Sequence, residues 1–333
     1  MYITSAALII DGKIIAACPE ERLNRDKLTR VFPTNAVNFC LKKANLRLDQ
    51  IDFIANSYNP SVHLKKFHPA YSNNRRFRGD YFYSIPDFLL NNDRQIKEDS
   101  DYSFQKIKLG NKELNIYYIT HHLAHAANGF YLSPFKKSAI LTADSMGEDD
   151  SANFLIGEKN KLKLIKRLKI PHSTGSFYST FTEFFCYRPE SDEWKVMALS
   201  AYGKKNNKFY KIIRKMVSLK SNGSFELDQS YFKQHIYRMP NFYTDEFVKI
   251  IGKPREKNQN FTKRNYDVAA AMQQVFEEIC CHMLKFLHKK TRTKNLVLSG
   301  GSFMNSVFNG KAHKVTPFKN VWISSCPDDS GLS

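Results

Sequence analysis

The sequence lacks the features that direct proteins into or across a membrane. No hydrophobic run approaches the length of a membrane span, and no basic-then-apolar leader is present. The six cysteines are scattered and form no C-x-x-C pair, which is typical of a reduced protein rather than a disulfide framework. We therefore expect a cytoplasmic protein without a membrane span.

The overall composition indicates a globular protein with anionic ligands. The 333 residues are 42% hydrophobic and 25% charged, and this length allows two domains. A formal net charge of +19 suits nucleotides, phosphorylated substrates, nucleic acid or an anionic membrane surface, although an AT-biased genome, whose proteins are rich in lysine, would give the same excess. The chain has no RNA-binding motif and no internal repeat, so nucleic acid is not the partner we expect.

The chain is organised around two histidines at helical spacing. A short apolar strand, 116–119, leads into a helix predicted to begin near Leu123. His121 and His125 are four residues apart and therefore face the same side of that helix. Two imidazoles at this spacing can share a metal ion, as in the H-E-x-x-H motif. A helix cap or a surface pair is the alternative interpretation.

Carboxylates follow two of the predicted strands. The strand 138–142 leads to Asp144, and the strand 320–324 leads to Asp329. Open α/β sheets bind ligands at the carboxyl ends of their strands, which favours a shared metal site with the histidines. We also expect residues 144–147 to form a tight turn whose amides, including that of Gly147, face a phosphate.

Glycines and hydroxyl residues mark two further strand-to-helix junctions. Gly300 and Gly301 follow the predicted strand 295–298, where absent side chains let a ligand approach the backbone. Ser173 precedes a helix predicted over 176–187 and either faces a ligand or is an ordinary N-cap.

Two further residues are candidates for chemistry. Lys195 lies among apolar neighbours and is either a surface lysine with a buried stem or an anion ligand. His122 faces away from the His121/His125 side and either binds substrate or packs.

The remaining pattern predicts an α/β core with two insertions. We expect a β-hairpin turning at Asp11-Gly12, a helix capped by Thr34, and a charged segment after Pro19 that is a solvated loop or helix start or lies beside a phosphate site. Residues 57–112 form a basic, aromatic insertion and 204–262 a weakly patterned one. The longest helix, 267–289, has one continuous apolar face.

Taken together, these motifs resemble the O-carbamoyltransferase family that acts on nodulation factors and on antibiotics such as tobramycin and cephamycin. They occur in the family's order and are Ser5-Ala6-Ala7-Leu8, Glu20-Glu21-Arg22-x-x-Arg25, His121-His122-Leu123-Ala124-His125-Ala126, Asp144-x-x-Gly147-Glu148, Pro171-His172-Ser173-x-Gly175-x-Phe177-Tyr178, Lys195-x-Met197-Ala198-Leu199-x-x-Tyr202-Gly203, Gly300-Gly301-x-x-x-Asn305-x-x-x-Asn309 and Asp329-Ser330-Gly331.

The resemblance implies an α/β fold like that of actin, Hsp70 and sugar kinases. Two ribonuclease-H-like halves, expected at 1–150 and 151–333, would face each other across a nucleotide and metal cleft. The family's amino-terminal domain is similar to the tRNA threonylcarbamoyl transferase and holds iron through the H-x-x-x-H histidines and two aspartates. Iron, or another divalent transition metal, is therefore expected at His121, His125, Asp144 and Asp329.

The resemblance also implies a reaction. The family moves a carbamoyl group from carbamoyl phosphate, through a carbamoyl-adenylate made from ATP, to an acceptor hydroxyl on a sugar or natural product. Nucleotide is expected against Gly147, Ser173, Gly300, Gly301, Asn305 and Asn309. His122 and Lys195 are the candidates for proton transfer or anion stabilisation.

The sequence departs from the family pattern at both ends. Family members begin with a further strand ending in a His-Asp pair and continue past Asp329 with a carbamoyl-adenylate-forming domain. We therefore expect a chain truncated at both ends, whose missing domain a separate chain would have to supply. The rival interpretations are a tRNA threonylcarbamoyl-type enzyme, a sugar kinase, and a nucleotide-binding module without turnover.

Overall fold

The computed structural model describes residues 3–59, 61–62, 97–98, 101–233 and 242–333. Most of the predicted basic insertion lies outside these residues. The described strands are β1 Ser5–Ile10, β2 Lys13–Pro19, β3 Phe53–Asn56, β4 Lys97–Glu98, β5 Tyr102–Leu109, β6 Lys112–Ile119, β7 Lys137–Gly147, β8 Asp150–Glu158, β9 Lys161–Lys169, β10 Val217–Leu219, β11 Phe225–Leu227, β12 Asn295–Ser299 and β13 Asn320–Ile323.

The described helices are interspersed among these strands, as expected for a mixed α/β protein. They are α1 Glu21–Asn24, α2 Thr34–Ala44, α3 His121–Tyr131, α4 Thr174–Phe184, α5 Glu193–Leu199, α6 Lys208–Lys215, α7 Asp245–Ile251, α8 Lys263–Thr291, α9 Ser306–Asn309 and α10 Ala312–Val315. Within the described ranges, no helix is both long and apolar enough to cross a bilayer.

A five-stranded sheet in the order β13-β12-β7-β8-β9 forms the centre of the molecule. β13, β12 and β7 are parallel, whereas β8 and β9 continue the sheet antiparallel. Because β7 pairs with both β8 and β12, this sheet begins at Lys137 and continues across the predicted boundary between residues 150 and 151. The division of the chain into two halves stays a prediction.

Helix α8 supplies the largest apolar face to the core. Its 29 residues bury Val268, Met272, Val275 and Ile279 completely against the sheet and the neighbouring helices. Full burial of one such side chain contributes about 1.5–3 kcal/mol. The spacing of these apolar residues predicted the helix. Its packing against the sheet supports the edge from which the functional side chains project.

The predicted insertion at 204–262 packs into this core. Phe209 and Ile213 of α6, Phe225 of β11 and Phe247 of α7 are buried in the same apolar cluster as α8. Residues 234–241 are outside the described part of this segment.

The amino-terminal part contains a hairpin and a second sheet. β1 and β2 turn at Asp11 and Gly12, which both have positive φ, as the Asp-Gly signal predicts. A four-stranded sheet has the order β3-β6-β5-β4. Strand β5 and the start of β6 belong to this sheet, so the last eleven residues or so of the predicted insertion are part of the fold.

Helix α2 begins at Thr34, but Thr34 does not cap it. The carboxylate of Glu20 accepts hydrogen bonds from the backbone amide of Ala36 at 2.8 Å and from the side-chain amide of Asn35 at 2.6 Å. Glu20 is only 1% exposed. The charged segment after β2 is therefore not a solvated loop at this position but supplies a helix cap.

Candidate metal centre

Four ligand atoms meet at the edge of the central sheet. They belong to His121 and His125 of α3, to Asp144 of β7, and to Asp329 in a short 3₁₀ turn after β13, and all lie within 4.8 Å of one another. The Nε2 atoms of the two histidines are 3.1 Å apart. The fold thus brings together the four residues that were predicted as metal ligands.

The carboxylate of Asp144 lies at the centre of this arrangement. Its Oδ2 is 3.2 Å from His125 Nε2 and 3.5 Å from His121 Nε2. The backbone amide of Gly301 donates to the same oxygen at 3.2 Å, and the amide of Ser145 donates to Oδ1 at 2.8 Å. Two backbone donors therefore hold this carboxylate in place.

Residues 144–147 do not form the predicted tight turn. β7 continues to Gly147, with an irregular pairing to β8 between Ala143 and Gly147. The chain reverses only at residues 148 and 149. The irregularity releases Asp144 from the regular ladder and turns its side chain toward α3.

Helix α3 also holds the segment that carries Asp329. Asp329 Oδ1 is 3.5 Å from His121 Nε2 and 3.6 Å from His125 Nε2. The side-chain amide of Asn128 donates to the carbonyl of Cys326 at 2.8 Å, just before Asp329. Asn128 follows His121 and His125 at positions i+7 and i+3, so the helical spacing would have identified it.

The two histidines of the cluster are buried, whereas the side chains of Asp144 and Asp329 are 18% and 13% exposed. Burial lowers the pKa of His125, but the carboxylates of Asp144 and Asp329 outweigh it and raise that pKa to about 9. Burial raises the pKa of Asp144, yet hydrogen bonds from His121 and His125 hold it well below its usual range. The pKa of Asp329 is lowered against burial by the same histidines.

His122 is part of the supporting structure rather than the cluster. It is fully buried, with Nδ1 2.9 Å from the hydroxyl of Thr142 and Nε2 3.2 Å from the carbonyl of Asp150. Burial lowers its pKa to about 3, so the ring is neutral, and Nε2 must carry the proton that it donates to the carbonyl. Both ring nitrogens are engaged, as expected for the packing alternative, and the catalytic role of His122 stays a prediction.

Lys195 forms contacts with its own neighbourhood. Its Nζ lies 2.9 Å from Asp192 Oδ1 and above the rings of Tyr187 and Trp194, with one third of the side chain exposed. The structure thus places Lys195 in a partly exposed ion pair, and these contacts do not support its predicted role at the cluster.

The Gly-Gly turn packs against β7. Gly300 has φ +98°, and a Cβ there would lie 2.2 Å from the carbonyl oxygen of Ala143. A Cβ at Gly301 would lie 2.9 Å from Asp144 Oδ1. These contacts require glycine without any ligand, so nucleotide binding by this turn stays a prediction.

Ser173 and Gly147 also have structural explanations. The Ser173 hydroxyl donates to the carbonyl of Asp144 at 2.7 Å and accepts from the amide of Ser176, so Ser173 is the N-cap of α4. A Cβ at Gly147 would lie 2.3 Å from the ring of His121. Both residues therefore shape the cluster, and their predicted contacts with nucleotide are untested.

The two predicted asparagines differ in their remaining capacity to bind. Asn305 exchanges hydrogen bonds with Gln273 and accepts from the amide of Phe308, so its amide is fully engaged. Asn309 donates to the carbonyl of Phe303, and its buried Oδ1 has no partner among the described residues.

Sequence analysis named Glu148 as part of a family motif but assigned no role to its carboxylate, which is buried. It lies within the acidic stretch 148–150 and accepts a hydrogen bond from the backbone amide of His121 at 3.1 Å. Burial raises its pKa to about 7. Acidic runs are usually solvated, and no local signal distinguishes this one.

The fold and the cluster define a mixed α/β protein with a buried side-chain set of the metal-ligand type. The model of the family described as carbamoyltransferase N-terminus matches residues 2–333. The chain therefore belongs to the carbamoyltransferase N-terminal family, and the resemblance noted from its motifs is confirmed.

Curated relatives agree with this assignment. An uncharacterized Synechocystis protein, sll1178, is 31% identical over 98% of this chain and 53% of its own length. Nodulation protein NolNO of Sinorhizobium fredii is 27% identical over 100% of this chain and 45% of its own length. The chain thus spans about half the length of these relatives.

Solved structures show only a distant likeness. HypF of T. kodakarensis has a TM-score of 0.44 at 10% identity, covering 91% of this chain and 42% of that one. Full-length HypF in its phosphate- and nucleotide-bound form has a TM-score of 0.47 at 14% identity, covering 92% and 41%. Both scores are too low to bear on the ligands of this chain.

Proposed function

We propose that this chain carries the transfer centre of an O-carbamoyltransferase. In this reaction a carbamoyl group from carbamoyl phosphate passes through a carbamoyl-adenylate, formed with ATP, to the hydroxyl of a sugar or natural-product acceptor. The observation that carries the proposal is the convergence of His121, His125, Asp144 and Asp329 in a member of the carbamoyltransferase family.

These four side chains fit a divalent transition metal. Two Nε2 atoms at 3.1 Å must share either a proton or a cation, because two lone pairs would repel each other. Two imidazoles and two carboxylates suit a borderline ion such as Fe²⁺ or Zn²⁺. A metal held there would supply a Lewis acid for phosphate or carbamoyl oxygens.

The chain's own residues prepare this centre. Backbone amides of Ser145 and Gly301 orient the Asp144 carboxylate, and Ser173 holds its carbonyl. Asn128 holds the chain segment that leads to Asp329 through its hydrogen bond to the carbonyl of Cys326. Four segments far apart in sequence are thereby locked around one point, which is the preorganisation that acyl transfer requires.

The actin-like cleft remains part of the proposal. The central sheet has three antiparallel strands followed by two parallel ones, in the order β9-β8-β7-β12-β13, as in a ribonuclease-H-like half. Nucleotide would then lie beside the centre, between the Gly-Gly turn and the amino-terminal end of α4.

The proposal is tested by supplying carbamoyl-adenylate directly to the purified chain. Transfer of labelled carbamoyl to one of a panel of hydroxyl acceptors, an aminoglycoside and a chitin oligosaccharide among them, should accompany AMP release. The Asp329→Asn variant should lose both. Metal and nucleotide binding without transfer or acceptor-stimulated AMP release would instead indicate a binding module.

A further inference from the structure

Helix α3 begins without a cap of its own. Its N-cap residue, Thr120, makes no side-chain cap hydrogen bond. Instead, both carboxylate oxygens of Glu148 lie 3.1 Å from the backbone amide of His121, the first residue of the helix. Glu148 therefore fulfils the role of a cap from the β7–β8 turn.

The same carboxylate reaches a third segment. Glu148 Oε1 also accepts from the backbone amide of Asn59 at 2.9 Å. Asn59 is fully buried, and its Oδ1 accepts hydrogen bonds from the hydroxyls of Ser61 and Ser103 at 2.7 and 2.8 Å. One carboxylate thus links the metal-ligand helix to the segment after β3 and to the start of β5.

The backbone at Glu148 is unfavourable for this residue type. Its φ is +44°, a left-handed conformation that is unfavourable for a residue with a Cβ but not for glycine. Glu148 is nevertheless buried, with 7% of its surface exposed, and both of its carboxylate oxygens accept hydrogen bonds. The contacts of this carboxylate offset the backbone cost, which points to a specific role for the side chain.

We propose that Glu148 is a positioning residue for the metal centre, which fixes the His121 backbone and couples it to the segment that begins at Asn59. This inference rests on the proposed metal site. His121 carries a ligand atom on the residue whose amide Glu148 holds, so a loosened helix start displaces Nε2 directly. Ligands must stay within about 0.5 Å of their working positions.

A glycine at position 148 separates the backbone conformation of Glu148 from the contacts of its carboxylate. Glu148→Gly relieves the backbone and removes the carboxylate, whereas Glu148→Gln keeps an amide oxygen as acceptor. Glu148→Asp keeps the charge but shortens the side chain by one methylene. Glu158→Gln is the matched control, because Glu158 is exposed at the far end of β8 and forms an ion pair with Lys137.

Two measurements test whether Glu148 positions the metal centre. The first is Co²⁺ affinity, with the d–d absorption of the bound ion as a geometric signature. Glu148→Gly and Glu148→Asp should bind about 10–100-fold more weakly with an altered spectrum, as for other residues that orient metal ligands. Glu148→Gln should recover most of the affinity, and Glu158→Gln should match the wild type.

The second measurement is amide hydrogen exchange over residues 117–125 in the chelated protein. His121 should exchange faster in Glu148→Gly and Glu148→Asp, and at the wild-type rate in Glu158→Gln. Wild-type exchange at His121 in a folded Glu148→Asp protein would overturn the proposal, as would wild-type Co²⁺ affinity. If the wild type binds no Co²⁺, the metal assignment fails by itself, and the exchange rates still decide the role of Glu148.

Discussion

The charge state of His125 makes the stability of the metal-free protein depend on pH in a defined direction. The flanking carboxylates raise the pKa of this buried histidine from the ordinary 6.5 to about 9. A group with a raised folded-state pKa contributes stability that is fully present below pH 6.5 and is lost as the pH rises through 9. At 1.36 kcal/mol per pKa unit, the contribution is about 3 kcal/mol.

Urea unfolding in the presence of a chelator measures this contribution. The free energy of unfolding should fall by about 3 kcal/mol between about pH 6 and pH 10, after subtraction of the slope seen for His125→Gln. The variant should itself be less stable than the wild type at the acid end of this range. A wild-type stability that is flat or rises relative to the variant would refute the charge assignment.

Metal binding should show the opposite dependence. A metal ligand must be a neutral imidazole, so binding displaces the proton from His125 throughout the range below pH 9. The apparent affinity should therefore rise about tenfold per pH unit for this one proton. Metal titrations at constant ionic strength test this, and an affinity independent of pH would contradict it.

Three further predictions follow from single contacts. Asp329→Asn should abolish metal binding because one of four ligands is lost, whereas His313→Gln, at an exposed histidine, should keep the wild-type content; elemental analysis distinguishes them. Gly301→Val should reduce both metal and nucleotide binding, since a Cβ would lie 2.9 Å from Asp144 Oδ1; wild-type metal affinity in a folded variant would argue against this. Glu20→Ala should lower the free energy of unfolding by about 1–3 kcal/mol through the lost cap of α2, with metal content unchanged; an unaltered urea midpoint would disprove it.

The sequence was sufficient to predict the cluster but not what supports it. His121 and His125 could be paired from spacing, and Asp144 from its position after an apolar strand. Glu20 and Glu148 are part of the family motifs, but their supporting roles could not be recognised, because both lie in charged stretches, which usually face solvent. Their burial depends on backbone donors of helices that lie elsewhere in the sequence.

Long-range pairing also limits what local patterns can predict about domain boundaries. β7 and β8 form a local hairpin, but the parallel partner of β7 is β12, which is more than a hundred residues further along the chain. No local sequence pattern predicts that pairing. The positions of Lys195 and His122 were likewise decided by partners such as Asp192 and Thr142, whose presence in the sequence did not specify a contact.

The parallel insertion of β12 between β7 and β13 has a consequence for the order of folding. During synthesis the two histidines and Asp144 emerge well before Asp329, and they cannot meet it until β12 and β13 have joined the sheet. Contacts of such long sequence separation form late. The fourth ligand therefore arrives only when the central sheet is complete, and a metal that needs all four ligands would be captured by a finished sheet and not by a nascent one.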